Sequence, residues 1–413
     1  MVRELIAMAA AFAFLIYASN RTRLWHGVIL LLTGAIMSVL AGQGAGTVAS
    51  NFTSILLSTN TMKTISVILQ IGILSCLMKH YGILDKLVLA FQEVFTSERT
   101  IMMLLPAAIG MLSVPGGAQL SSPFVYQLGE TVHMPVSQRA AVNLSFRHIA
   151  YFLLPTSSSM IIFSSLAPHI SLYKLIGLNL GYAFLMQLTS YLCYLSGYAG
   201  TRRERSPRFA RGMKDILKYL FPIYLVVILN GIFGVQMCYS VFASLMCILL
   251  VWGRKDVKSY GRIFVESISL KVFVMMLGVF FMQNTIRGMD GIMNGFAALF
   301  SQYSGFSSLL VIAAAAIFFG FTTGLSYVPL GVIVPLILGL RLPPSQELLY
   351  CFTVYAWSFM GYYFSPLHLC QLLTVEQMEC GSSRLYRTYL PLALVMFSSG
   401  FVLFYAYKLL LGA

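Results

Sequence analysis

The sequence predicts an all-α polytopic membrane protein, and three observations lead there. Of its 413 residues 58% are hydrophobic and only 10% are charged, against roughly 25% charged in soluble domains. The apolar residues run in long continuous stretches, near the roughly 20 residues that a bilayer-spanning helix needs, and lack the alternation of a membrane barrel. Proline, glycine and hydroxyl residues then interrupt four of those stretches in matching places.

Full spans are expected at 4–18, 25–42, 62–80, 137–167, 171–196, 216–234, 237–252, 267–286, 345–375 and 387–410, about ten by the hydropathy rule. The first resembles the apolar core of a signal peptide. Only Arg3 precedes it and no small-residue cleavage site stands out, so a retained span is expected. The stretches 99–128 and 306–340 are apolar but broken, and are expected to be two re-entrant helical hairpins. Ile83–Phe95 and Gly291–Gln302 look amphipathic, precede the two hairpins, and are expected to lie along the membrane surfaces.

The breaks have a physical cause. Ser113-Val-Pro-Gly-Gly-Ala-Gln-Leu-Ser-Ser122 cannot continue as a helix through Pro115, Gly116 and Gly117, and Thr322-Thr-Gly-Leu-Ser-Tyr-Val-Pro329 is interrupted likewise. Pro155-Thr-Ser-Ser-Ser159 breaks span 137–167, and Ser365-Pro366 breaks span 345–375, which makes two broken helices. Irregular backbone at membrane depth is tolerated only where protein buries it or a watery cavity receives it.

The chain also repeats. Gln70-Ile-Gly-Ile-Leu with Tyr81-Gly-Ile-Leu-Asp85 parallels Met282-Gln-Asn284 with Gly288-Met-Asp-Gly-Ile292. Ile109-Gly-Met-Leu-Ser113 parallels Phe319-Gly-Phe-Thr-Thr323, and Tyr151-Phe-Leu-Leu-Pro155 parallels Tyr362-Tyr-Phe-Ser-Pro366. These matches recur in one order at nearly one spacing. The expected organisation is a first repeat over 1–200, a basic cytoplasmic linker over 201–215 and a second repeat over 216–413. Five spans in each half, an odd number, invert the second repeat relative to the first. Most of the 27 Lys and Arg then fall on cytoplasmic ends when both termini lie outside. The net charge of +14 is absorbed by this topology, so no nucleic-acid partner is expected.

Ser113-Val-Pro-Gly-Gly-Ala, Phe146-Arg-His-Ile149 and Ser365-Pro-Leu-His-Leu-Cys370 together resemble an uncharacterised prokaryotic membrane family, domain of unknown function 401. That family is grouped with the ion transporter superfamily of citrate, dicarboxylate and arsenite carriers. The resemblance covers roughly residues 60–380. It implies an inverted-repeat fold in the cytoplasmic membrane, with a scaffold and a hairpin-carrying transport domain that work by an elevator motion. It implies no substrate.

The candidate substrate and ion site follows the breaks, since discontinuous helices in corresponding positions mark a transporter's site. At the first hairpin it comprises Ser113, Pro115, Gly116, Gly117, Gln119, Ser121 and Ser122, whose backbone N–H groups suit an anion. Thr156, Ser157 and Ser158 add hydroxyls and freed carbonyls, although such residues also bond back to their own helix. Thr322, Thr323, Gly324 and Ser326 are the second hairpin's counterparts, and Ser365 and His368 the second broken span's. Asn143, Arg147 and His148 complete the set. A charge such as Arg147 within a span is a functional hypothesis by default, with snorkelling to the interface as the alternative.

All thirteen carboxylates lie near span ends or in loops, so a carboxylate proton relay is less expected than Na⁺ held by oxygens. Beyond a transient Na⁺, neither a cofactor nor a metal is expected. The seven cysteines show no CxxC spacing and read as core residues. No HExxH, P-loop, GxSxG or paired His/Cys cluster appears, so no enzyme is expected. The resulting reading is a secondary active transporter of a small organic or inorganic anion. A cation/proton antiporter and a membrane-embedded lipid-handling protein or enzyme remain as alternatives. The lipid bilayer is the expected environment, and the small residues of Gly27–Gly42 suggest a surface for a homodimer.

Overall fold

A computed structural model describes residues 2–21, 24–111, 118–198, 207–254, 260–268, 270–292, 294–295, 298 and 305–412. The long elements are all helices. They are α1 (Val2–Arg21), α2 (His26–Ala41), α3 (Ala45–Leu57), α4 (Thr59–His80), α5 (Ile83–Val94), α6 (Glu98–Met111) and α7 (Ala118–Thr131). Next come α8 (Val136–Arg147), α9 (Ile149–Leu153), α10 (Ser158–Leu166), α11 (Leu172–Tyr194), α12 (Phe209–Gly231) and α13 (Met237–Val251). The chain ends with α14 (Tyr260–Ser267), α15 (Leu270–Arg287), α16 (Phe306–Thr323), α17 (Tyr327–Gly339), α18 (Pro344–Tyr363), α19 (Leu369–Gln377) and α20 (Ser382–Leu411).

Among the described residues six helical stretches are long and apolar enough to cross a bilayer: Thr59–His80, Val136–Leu166, Leu172–Tyr194, Leu270–Arg287, Phe306–Thr323 and Ser382–Leu411. The shorter α2, α13 and α17 are equally apolar in character. The protein is a multi-pass membrane protein. Each expected span overlaps a helix, with ends that differ by up to seven residues at 216–234 against Phe209–Gly231, whereas α3 falls outside all of them. Helix α3 is apolar too, but its 13 residues are shorter than a span, and only Ile55 of it is buried.

Both broken spans break where proline forces them to. Leu154, ahead of Pro155, takes the extended conformation that a following proline imposes, with φ −94° and ψ 122°. The helix then restarts at Ser158, with Ser157 as its N-cap accepting from the Met160 amide at 3.4 Å. In the second half α18 stops at Tyr363 and α19 restarts at Leu369, with Ser365 accepting from the Leu367 amide at 3.1 Å.

Corresponding elements pack in corresponding ways. Helix α6 lies against α7 and α8, as α16 lies against α17 and α18. Across the halves, α10 packs on α17 while α19 packs on α7. Glycine permits the tightest of these contacts. A Cβ on Gly110 would stand 2.1 Å from the Arg147 carbonyl oxygen, and one on Gly320 would stand 2.8 Å from the Ser358 carbonyl oxygen. Gly110 and Gly320 are matching positions of the similar sequence segments 109–113 and 319–323.

One expectation looks different in three dimensions. The small residues of α2 are used within the chain: a Cβ on Gly27 would meet the Met275 amide nitrogen at 2.3 Å, and one on Gly34 the Phe281 ring at 2.6 Å. Those glycines are therefore not open to a second copy. Helix α5 buries Ile83, Leu84, Leu87, Val88, Phe91 and Val94, and packs on α12. Much of the matching stretch 291–302 lies outside the described residues.

Candidate functional site

The site is built where the two broken spans meet. Helix α8 carries two buried arginines that differ in how the protein uses them. Arg139 is 7% exposed; its Nε donates to the Met134 carbonyl at 2.7 Å, its Nη1 to the Tyr126 carbonyl at 3.2 Å, and it lies 4.7 Å from the Tyr126 ring centre. Arg147 is 6% exposed, yet its Nη1 has no hydrogen-bond partner among the described residues. Its guanidinium faces the Cys370 thiol, with Tyr362 and His368 also near. The arginine thus turns inward, and the snorkelling alternative does not describe it.

His148 follows at the end of α8. Its Nδ1 lies 2.6 Å from the Leu144 carbonyl oxygen, which can only accept, so Nδ1 carries the proton. His368 repeats the device, with Nδ1 3.2 Å from the Tyr363 carbonyl. The two imidazoles stand 4.8 Å apart between ring centres, inside an aromatic wall of Phe359, Tyr362 and Tyr363. His368 is 1% exposed and its Nε2 has no partner among the described residues. Cys370 lies within hydrogen-bond reach of His148.

Hydroxyl and amide groups tie this centre to the neighbouring helices. The Asn143 amide donates to Ser122 of α7 at 3.0 Å and to Thr374 of α19 at 3.1 Å. Ser159 of α10 bonds Ser326, ahead of α17, at 2.8 Å. A Cβ on Gly324, whose φ is +65°, would press on Leu367 at 2.7 Å, so the turn between α16 and α17 rests on the second broken span. Thr156 shares a small void with Met111, the last residue of α6. A separate cavity of about 250 Å³, bordered by Asn60, Lys63, Thr64, Ser164 and Gln236, reaches Pro155.

The structure brings Ser122, Asn143, Arg147, His148, Ser326, Ser365 and His368 to this region. Ser113, Pro115, Gly116 and Gly117 lie outside the described residues, as does the side chain of Gln119. Ser121 is buried on α7, and Ser157 serves as a cap that also reaches the Tyr151 carbonyl at 3.4 Å. Ser158 is exposed. Thr322 and Thr323 bond back to the Phe318 and Phe319 carbonyls at 2.7 and 2.6 Å, which makes them helix-end residues. Ser365 donates to the Phe321 carbonyl at 2.6 Å and so fastens α16 to the break.

Sequence reasoning missed Cys370, Thr374 and the tyrosine wall. Cys370 sits two residues beyond His368, a spacing that hinted at a shared ligand. The paired His/Cys cluster absent from the sequence forms only when the halves fold together. Two buried carboxylates, Glu98 and Glu347, stand at helix starts away from this centre. Glu98 accepts from Thr131 at 3.0 Å, and Glu347 pairs with His169.

The fold is similar to that of the Alcanivorax borkumensis YdaH transporter, whose crystal structure has been described as revealing an unusual topology. The match has a TM-score of 0.55 at 14% identity and covers 91% of this chain and 95% of that one. No curated protein matches the sequence. The model of the family described as protein of unknown function (DUF401) matches residues 11–405, and the chain belongs to that family.

Proposed function

We propose that this protein is a secondary active transporter of a small anion. Arg147 supplies the fixed charge, and the two hairpins and two broken spans surround the site. The single observation that carries the reading is a buried guanidinium with an unspent donor and no ion-pairing carboxylate among the described residues. An uncompensated charge at membrane depth is costly, and an arriving anion repays that cost through a charge-assisted hydrogen bond. The transporter fold of the neighbour supports the same class of function. The paired contacts of Gly110 and Gly320 support inverted repeats, with hairpins 99–128 and 306–340 as re-entrant elements moving together with the broken spans. Na⁺, held by break-region hydroxyls and carbonyls, is the proposed coupling ion.

Thermal unfolding of the purified protein across mono-, di- and tricarboxylates and oxyanions, each with and without Na⁺, tests this. A substrate at 100 times its Kd stabilises the fold by about 2.7 kcal/mol. Uptake of the same anion into proteoliposomes should saturate, and Arg147→Gln should abolish both effects. Stabilisation by Na⁺ or pH alone, with every anion silent, would replace this reading with the antiporter.

A further inference from the structure

We propose that His148, His368 and Cys370 form a binding site for a borderline-soft transition-metal ion of the Zn²⁺ class. One nitrogen from each imidazole and the Cys370 sulfur all lie within 4.8 Å of one another. Both histidines commit Nδ1–H to a backbone carbonyl, of Leu144 and of Tyr363, which leaves Nε2 of each ring as the nitrogen free to ligate. Metal-ligating histidines are commonly oriented by such a bond from the other ring nitrogen. His368 Nε2, on a residue 1% exposed, is left without a partner among the described residues, a vacancy that a metal–nitrogen bond fills.

The donor set decides the class of ion. Two imidazoles and a thiol, with no carboxylate in the cluster, suit Zn²⁺ or Co²⁺ and disfavour Na⁺, Mg²⁺ or Ca²⁺. Bonds of about 2.0–2.3 Å in a tetrahedral array place donors roughly 3–4 Å apart, so the set closes by about 1 Å on loading. Cys370 gives up its thiol proton to solvent when the metal–sulfur bond forms. Arg147, beside the sulfur, stands ready to donate to the resulting thiolate. The ligands come from both halves, so the ion joins the first broken span to the second. The site stands whether or not an anion is carried.

The test uses the purified full-length protein, stripped with a chelator and titrated with Co²⁺ as a spectroscopic probe. The expected result is one Co²⁺ per chain, with visible bands of tetrahedral intensity and a thiolate-to-cobalt charge-transfer band, all lost on adding Zn²⁺. Cys370→Ser should remove the charge-transfer band, and His368→Gln should weaken binding more than about tenfold. Should Cys370→Ser fail to fold, the Co²⁺ affinity of His368→Gln decides the matter. Wild-type protein that shows no tetrahedral Co²⁺ spectrum, or variants that bind as wild type does, would overturn the proposal. Anion-dependent stabilisation, read on the metal-free protein, separates failure of this site from failure of the transport reading.

Discussion

In the first half the broken span stops at Arg147, passes through a one-turn helix and Pro155, and restarts at Ser158. In the second it stops at Tyr363, passes through Pro366 and restarts at Leu369. Each lies against a glycine of an earlier helix, Gly110 of α6 in one case and Gly320 of α16 in the other. The frame is shared but the chemistry is not. The first span contributes a cation and an imidazole, through Arg147 and His148. The second contributes soft donors and aromatic walls, through His368, Cys370, Tyr362 and Tyr363. Similar backbone contacts thus recur at both breaks while the side chains beside them differ.

The shared frame is most directly broken at its glycines. Gly110→Ala drives a methyl group into a backbone oxygen and should cost about 3 kcal/mol or more, whereas Gly320→Ala, with its looser contact, should cost about 1–3 kcal/mol. Thermal unfolding and detergent-soluble yield read both. A Gly320 variant less stable than the Gly110 variant would mean that the two contacts are not equivalent parts of one frame.

A smaller effect is expected where the halves are tied together. Asn143→Ala removes the donor that serves both Ser122 and Thr374 and should cost about 1–3 kcal/mol, since buried partners are left unsatisfied. Ser159→Ala removes one hydroxyl pair and should cost about 1 kcal/mol. Equal losses in chemical or thermal unfolding would show that the two ties carry the same weight. The smallest effect belongs to Thr322→Val. That hydroxyl only bonds back to its own helix, so stability should stay within about 0.5 kcal/mol and anion-induced stabilisation should not change. A lost anion response there would bring the second hairpin's threonines into the site after all.

Much of the architecture is legible without coordinates. Apolar length, Pro155, Pro366 and the Pro-Gly-Gly run are local properties of the chain, and water, lipid and backbone geometry act on them locally. They determined the spans, the breaks and the candidate status of Arg147. Helix α3 escaped because its 13-residue apolar helix is too short to read as a span, and its place against α15 is a matter of packing. The tertiary structure alone decided that Arg147 turns inward where Arg139 is consumed by carbonyls and an aromatic ring. It alone brought His148 beside His368 and Cys370, and Ser159 beside Ser326. Those pairings join residues from opposite halves of the chain. Which helix faces meet is fixed by close packing across the whole bundle, through contacts as specific as a glycine against a carbonyl, and no local pattern in the sequence encodes it.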